Sequence, residues 1–256
     1  MMTPKFSLQH IHKSFGSKQV LRDVNLEIFP GESMVIIGGS GTGKSVLLKC
    51  LLGLLKVDAG TLQMDGADIV GESVAQNAVR LEDIGVVFQG SALFDSLSVW
   101  ENVAFRLIYA QGMDRKKAKA LALKTLETVG LSGAVAKLPP AEISGGMQRR
   151  VALARAIITQ PHVLFFDEPT AGLDPIFSTT INDLIVHSVK ELGATAVTIT
   201  HDMKSARRIG DRIAMLHEGK IIWCGLADEI DHCGDPYVQQ FIHGLATPVE
   251  KEKKKS

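Results

Sequence analysis

The chain has no cysteine framework, no excess of either charge and no long apolar run, and each lack removes a class of protein. Its three cysteines, Cys50, Cys224 and Cys233, form no C-x-x-C pair and no His/Cys cluster at zinc spacing. An odd count without a framework fits reduced thiols in a cytosol-like compartment. Lysine plus arginine equals aspartate plus glutamate at 28 each, which argues against broad electrostatic attraction to nucleic acid or anionic lipid. The longest apolar stretch, Val46 to Leu55, is broken by Lys49, well short of the roughly 20 residues that span a bilayer. The N-terminus has no apolar signal core. The expectation is a chain neither secreted nor membrane-spanning.

What is present is an alternation of strand and helix signals. At 256 residues the chain can bury a full core as one large domain, or as one domain with a substantial insertion. Segments near Phe6 to Ile11, Val24 to Ile28, Met34 to Ile37, Thr61 to Met64, Ile84 to Phe88, Val163 to Phe166, Ala196 to Thr200, Ile213 to Leu216 and Lys220 to Trp223 carry β-branched and apolar residues between Gly, Asp or Pro breaks. Pro30-Gly31-Glu32, Asp58-Ala59-Gly60 and Glu218-Gly219-Lys220 read as tight turns. Between Ser98 and Gln160 strand signals vanish. Ser98 and Glu101 have capping-box spacing, Asp114 can cap a helix to about Val129, and Pro139-Pro140 precedes another helix at Ser144. This predicts an α/β fold with a largely parallel sheet, antiparallel β pieces near both ends and an inserted α-helical subdomain at about 92–160. The whole is expected to form one domain over 1–245, with 246–256 a flexible tail.

Gly38-Gly39-Ser40-Gly41-Thr42-Gly43-Lys44-Ser45 fits G-x-x-x-x-G-K-[ST] directly after the apolar strand signal Met34-Val35-Ile36-Ile37. Glycines at 38, 41 and 43 let the backbone curl into a nest of N–H groups around phosphates, Lys44 adds positive charge, and Ser45 offers a hydroxyl to Mg²⁺. A helix from Lys44 to Leu54 would turn its positive dipole end toward the anion. Val163-Leu164-Phe165-Phe166-Asp167-Glu168 is an apolar strand ending in two carboxylates, a Walker B pattern. The carboxyl ends of strands face the ligand in nucleotide-binding α/β sheets. Asp167 suits Mg²⁺ held through water, and Glu168 suits orienting the attacking water.

Ile143-Ser144-Gly145-Gly146-Met147-Gln148 opens a second helix with free N–H groups, although Ser144 also reads as an ordinary N-cap. The phosphate loop, Gln89 at the end of a strand, the Ser-Gly-Gly segment, Walker B, Ala171-Gly172-Leu173-Asp174 and His201 after a strand stand in the order of ABC-transporter ATPase subunits. The chain resembles that family over roughly residues 5 to 245. The resemblance implies a P-loop NTPase (RecA-like) core that binds ATP and Mg²⁺. It further implies that Phe15 stacks on adenine, Gln89 approaches Mg²⁺ and the attacking water, and His201 contacts the γ-phosphate. Ser144, Gly145 and Gly146 would bind the γ-phosphate from the opposite subunit, with Asp174 in the loop between subunits. Each residue also has a plainer reading: Phe15 as core, Gln89 as a solvated loop residue, His201 as a helix cap before Asp202, and Asp174 as an N-cap with proline at N1.

The chain holds one copy of each motif, so the resemblance implies two half-sites completed by a second copy, closed by two ATP molecules and released by hydrolysis. Met147 stands where the general motif has glutamine, and Gly90 to Val99 lacks the usual proline. With Glu142 to Arg150, Asp167 to Pro175 and Asp235 to Gly244 these features look like the Mla/Mce branch, whose transporters move phospholipids or other lipids across bacterial envelopes. That branch implies membrane permease subunits, a periplasmic Mce-domain lipid-binding protein and attachment to the cytoplasmic face of the inner membrane. It also admits a small partner containing a STAS domain. The other function classes weighed are an importer ATPase for another solute, an ABC ATPase acting on ribosomes or DNA, and a small-molecule P-loop kinase. With one cassette and no extended basic face, no nucleic-acid partner is expected.

Overall fold

The computed structural model describes residues 2–244; the 246–256 segment lies outside them. In chain order the elements are β1 (Phe6–Phe15), β2 (Lys18–Ile28), β3 (Ser33–Ile37), α1 (Lys44–Leu51), β4 (Ala59–Met64), β5 (Ala67–Asp68), α2 (Val74–Leu81), β6 (Ile84–Val87), α3 (Val99–Tyr109), α4 (Arg115–Thr128), α5 (Gly145–Ile157), β7 (Val163–Asp167), α6 (Pro175–Leu192), β8 (Thr195–Thr200), α7 (Met203–Ile209), β9 (Arg212–His217), β10 (Lys220–Leu226) and α8 (Pro236–His243). The chain divides into two compact units. Of the described residues, one comprises 2–29, 33–70 and 199–244, the other 30–32 and 71–198.

In the first unit β2, β1, β4 and β5 form an antiparallel sheet. Val24, Leu26 and Ile28 are buried while Asn25 and Glu27 are exposed, the period-2 pattern of a half-buried strand. Phe6 pairs with Ile28 and Leu8 with Leu26, so the two buried faces coincide. The register shifts between Leu8 and Ile11, and there His10 and Asp23 both take positive φ, 53° and 70°. The same unit has the order β10, β9, β3, with β3 parallel to β9 and β9 antiparallel to β10. Every residue of β3 is buried, as a continuous apolar parallel strand requires.

In the second unit the order is β8, β7, β6, and β6 runs parallel to β7, with Ile84 opposite Val163 and Val87 opposite Phe166. A β-carbon on Gly85 would lie 2.5 Å from the Ala156 carbonyl oxygen, so glycine there lets α5 pack directly on β6. Helices α3, α4 and α5 pack on one another around Val103, Leu107, Ala118, Ala122, Leu126 and Val151. Ser98 and Glu101 form the expected capping box of α3, and Asp114 caps α4.

Several boundaries differ from the sequence expectation, since β1 runs on to Phe15 and β2 already begins at Lys18. The helix read as Lys44 to Leu54 ends at Leu51, because Gly53 takes φ 67° and the Leu54 N–H reaches back to the Lys49 carbonyl. The segment Asp58-Ala59-Gly60, read as a turn, instead begins β4, with Ala59 opposite His12. A β-carbon on Gly60 would sit 2.3 Å from the His10 carbonyl oxygen, so this glycine serves close strand approach. Helix α2 has no counterpart in the sequence reading. It starts from a Ser73–Gln76 capping box, and its apolar residues at helical spacing, Val74 and Val79 among them, stay exposed and join no core.

Candidate nucleotide site

In the first unit, strand β3 delivers the chain to Gly38 and helix α1 leaves from Lys44. Gly38 has φ 156°, and a β-carbon there would stand 2.3 Å from the Leu216 carbonyl oxygen. Gly43, the N-cap of α1, has φ 108°, and its β-carbon would press on Val20 and Leu21 at 3.1 Å. These two positions admit only glycine, and they shape the backbone so that the loop wraps toward the α1 N-terminus. Thr42 Oγ1 donates to the Gly39 carbonyl at 3.0 Å, and Lys44 Nζ donates to the carbonyls of Gly38 at 2.7 Å and Gly39 at 2.9 Å. Lys44 is buried, whereas Ser40, Gly41 and Ser45 are exposed. A fixed ammonium, a glycine nest and exposed donors fit a polyphosphate.

Two further expected residues belong to this unit. Phe15, at the end of β1, is 50% exposed with Lys13 Nζ 5.6 Å from its ring centroid, so it is not a core residue. His201 follows β8 and is exposed, and the cap of α7 is its neighbour Asp202, which accepts from the N–H groups of Lys204 and Ser205. Burial of the Asp202 carboxyl raises its pKa, but the Ser205 hydroxyl and these two N–H groups outweigh it and hold the carboxyl below its ordinary value.

The second unit carries the other residues. Asp167 closes β7 behind the fully buried Val163 to Phe166. Glu168 comes next with φ 48°, a left-handed conformation that side chains adopt under constraint and that clusters at functional sites. Gln89 lies two residues beyond β6 and is exposed. Ser144 is the N-cap of α5, its Oγ accepting from the Met147 N–H at 3.3 Å. Gly145 and Gly146 form the first turn of that helix, and a β-carbon on Gly146 would be 3.4 Å from the Phe177 ring. Asp174 caps α6 by accepting from Ile176 N at 2.9 Å and Phe177 N at 3.1 Å, with Pro175 at N1. The plainer readings of Ser144 and Asp174 as caps therefore hold, and both side chains remain exposed. Each unit by itself offers hard oxygen donors of the kind Mg²⁺ takes, the exposed Ser45 hydroxyl in the first and the Gln89 amide oxygen and Asp167 carboxylate in the second.

Sequence reasoning missed three residues of the second unit. Asn102 is fully buried, accepts from Phe94 N at 2.8 Å and donates to the carbonyls of Phe94, Leu97 and Ser98, each at 3.1 Å. It ties the segment after Gln89 to α3. Arg149 and Arg155 project from α5 to backbone carbonyls on both sides of Gln89. The available signal was positional: an asparagine on the buried face of an amphipathic helix, and arginines inside the helix that begins at Ser-Gly-Gly.

A glycine-nested lysine loop opening a helix and an apolar strand ending in Asp-Glu define a P-loop nucleotide-binding α/β protein. The chain belongs to the ABC transporter family, whose model matches residues 21–171. It is 44% identical over 250 residues to Protein TRIGALACTOSYLDIACYLGLYCEROL 3, chloroplastic, of Arabidopsis thaliana, covering 91% of this chain and 72% of that one. It is 38% identical over 233 residues to the Probable ribonucleotide transport ATP-binding protein mkl of Mycobacterium leprae, covering 91% and 67%. Among solved structures it matches the dimeric post-hydrolysis state of the ATP-binding cassette MJ0796 bound to ADP and Pi, with TM-score 0.79, 33% identity and coverage of 87% and 98%. The fold is thus that of an ABC ATPase cassette, and the chain is an ATP-binding, ATP-hydrolysing subunit of that family. No helix among the described residues is long and apolar enough to cross a membrane.

Proposed function

We propose that this subunit drives an Mla/Mce-type transporter that moves phospholipid or another lipid across a bacterial envelope. The observation that carries the lipid reading is the 44% identity, over 91% of the chain, to a relative whose name is that of a galactolipid. In this reading the two compact units form one ATPase domain over 1–245, with the helical segment of about 92–160 inserted in its α/β core. The chain works on the cytoplasmic face of the inner membrane, held there by permease subunits, with a periplasmic Mce-domain protein supplying lipid and a STAS-domain protein as a further partner.

Each residue then has a task. Lys44 and the loop N–H groups hold the β- and γ-phosphates, Phe15 stacks on adenine, and His201 meets the γ-phosphate. Ser45, Asp167 and Gln89 would hold Mg²⁺, which neutralises phosphate charge as the terminal bond breaks. Glu168 orients and polarises the water, its backbone conformation fixing the carboxylate at the strand end. Ser144, Gly145 and Gly146, at the positive end of α5, bind the γ-phosphate held by a second copy, and Asp174 lies between the copies. ATP contacts that exist only in the closed dimer shift the population toward closure, and hydrolysis reverses the shift. The dimeric state of the MJ0796 cassette supports this arrangement.

Affinity capture of the full chain from detergent extracts tests the reading. Recovery with an integral permease and an Mce-domain protein is expected. Recovery with a solute-binding protein and a different permease would favour an importer for another solute, the alternative supported by 39% identity over 216 residues to the Glutamate/aspartate import ATP-binding protein GltL of Escherichia coli. Recovery with ribosomes or DNA alone would contradict the transport reading altogether.

A further inference from the structure

One helix holds the Gln89 loop from both sides. Arg149 on α5 donates from Nη1 to the carbonyl oxygen of Phe88, the residue before Gln89, at 3.2 Å. Its other arm, Nη2, donates to the Ala171 carbonyl at 3.2 Å, in the segment between Glu168 and Asp174. Fewer than two helical turns on, Arg155 donates from Nη1 to the Ala92 carbonyl and from Nη2 to the Ser91 carbonyl, both at 2.7 Å. Ser91 and Ala92 have φ of 61° and 47°. Side chains adopt that region only where surrounding structure imposes it, and the planar two-pronged guanidinium of Arg155 supplies the constraint through two charge-assisted bonds. The Arg155 cation also lies 6.0 Å from the Phe94 ring centroid, further along the same loop.

The same α5 begins at the Ser144 cap. One rigid helix therefore carries Ser144, Gly145 and Gly146 at its N-terminus, the flanks of Gln89 at its middle, and a contact to the loop leading to Asp174.

We infer that Arg149 and Arg155 are positioning residues for Gln89, holding its loop on α5 so that a displacement at the Ser144 end of the helix moves Gln89 with it. The inference rests on the proposed role of Gln89 in hydrolysis. Lysine in place of Arg149 keeps the charge but presents a single ammonium, which cannot span the Phe88 and Ala171 carbonyls with fixed geometry.

A double-mutant cycle on the full-length protein tests this: wild type, Arg149→Lys, Gln89→Ala and the double variant, each measured for steady-state ATP hydrolysis and thermal midpoint. Arg149→Lys is expected to lower kcat about tenfold with KM for ATP within about twofold, and to lower kcat less than about twofold when Gln89 is already alanine. Equal fold losses in the two backgrounds, or a KM rise with kcat unchanged, would overturn the positioning role, since a merely structural arginine acts whether or not Gln89 is present. If Arg149→Lys shows no cooperative melting transition, Arg155→Lys, which touches only the Ser91 and Ala92 side, carries the same cycle with the same expectations. A single Gln89→Ala variant with wild-type kcat would instead remove Gln89 from hydrolysis, and that failure of the proposed function is read in a different protein from the failure of the arginine cycle.

Discussion

Lys44 Nζ donates to the carbonyl oxygen of Gly38 at 2.7 Å, so the phosphate loop holds its own cation through the residue that opens it. A free lysine has four rotatable bonds to order. Here the ammonium is fixed in advance by Gly38 and Gly39, which lowers the entropy lost when phosphate oxygens arrive. Lys44→Ala is expected to weaken ATP binding and abolish turnover, measured by nucleotide titration and phosphate release. An unaffected rate would sink the phosphate-loop assignment.

Glu168→Gln should keep ATP binding close to wild type and slow hydrolysis by about 10² to 10⁴, the range for losing a general base. Glutamine keeps the size of the side chain while losing the negative charge. Single-turnover phosphate release checks it, and near-normal hydrolysis would take Glu168 out of the role.

Gly38→Ala should distort the loop, because the added carbon would meet the Leu216 carbonyl at 2.3 Å and the φ of 156° disfavours any side chain. An overpacking cost of about 1 to 3 kcal/mol should appear as a lower thermal midpoint together with weakened ATP binding. A variant with both unchanged would mean that β9 does not restrain this residue.

Asp202 gives a pH prediction. Its folded pKa is held below the ordinary 3.8, so the stability it contributes is complete above that value and is lost as pH falls through the folded pKa. Asp202→Ala removes the cap of α7 and should cost about 1 kcal/mol at neutral pH, with the gap to wild type narrowing below pH 3.8. Chemical denaturation at neutral and acid pH measures it; a gap that widens toward acid would reverse the sign of the argument.

Much of the fold and of the chemistry was legible because it is local. The buried run Ser33 to Ile37 and the glycines after it announce a strand, a turn and a helix within a dozen residues, and Asp114 and Asp174 cap helices by bonds to residues two and three positions on. What was not legible depends on distant partners. Gly60 reads as a turn until the His10 carbonyl is seen beside it. Arg149 and Arg155 carry no local signal of their task, because the carbonyls they reach, at Phe88, Ser91 and Ala92, lie some sixty residues earlier in the chain. Helix α2 spans only eight residues and buries none of them, with Val74 and Val79 exposed, so its apolar spacing points to no core face.

The central claim, that each ATP is held between the Lys44 loop of one copy and the Ser144 helix end of another, is tested most directly by sedimentation of the Glu168→Gln protein with and without Mg-ATP. The account predicts a dimer that forms only with nucleotide and is lost on replacing Ser144 with arginine, which places bulk and charge at the α5 N-terminus while Lys44 is left intact. A Glu168→Gln protein that binds ATP fully and remains monomeric would contradict it.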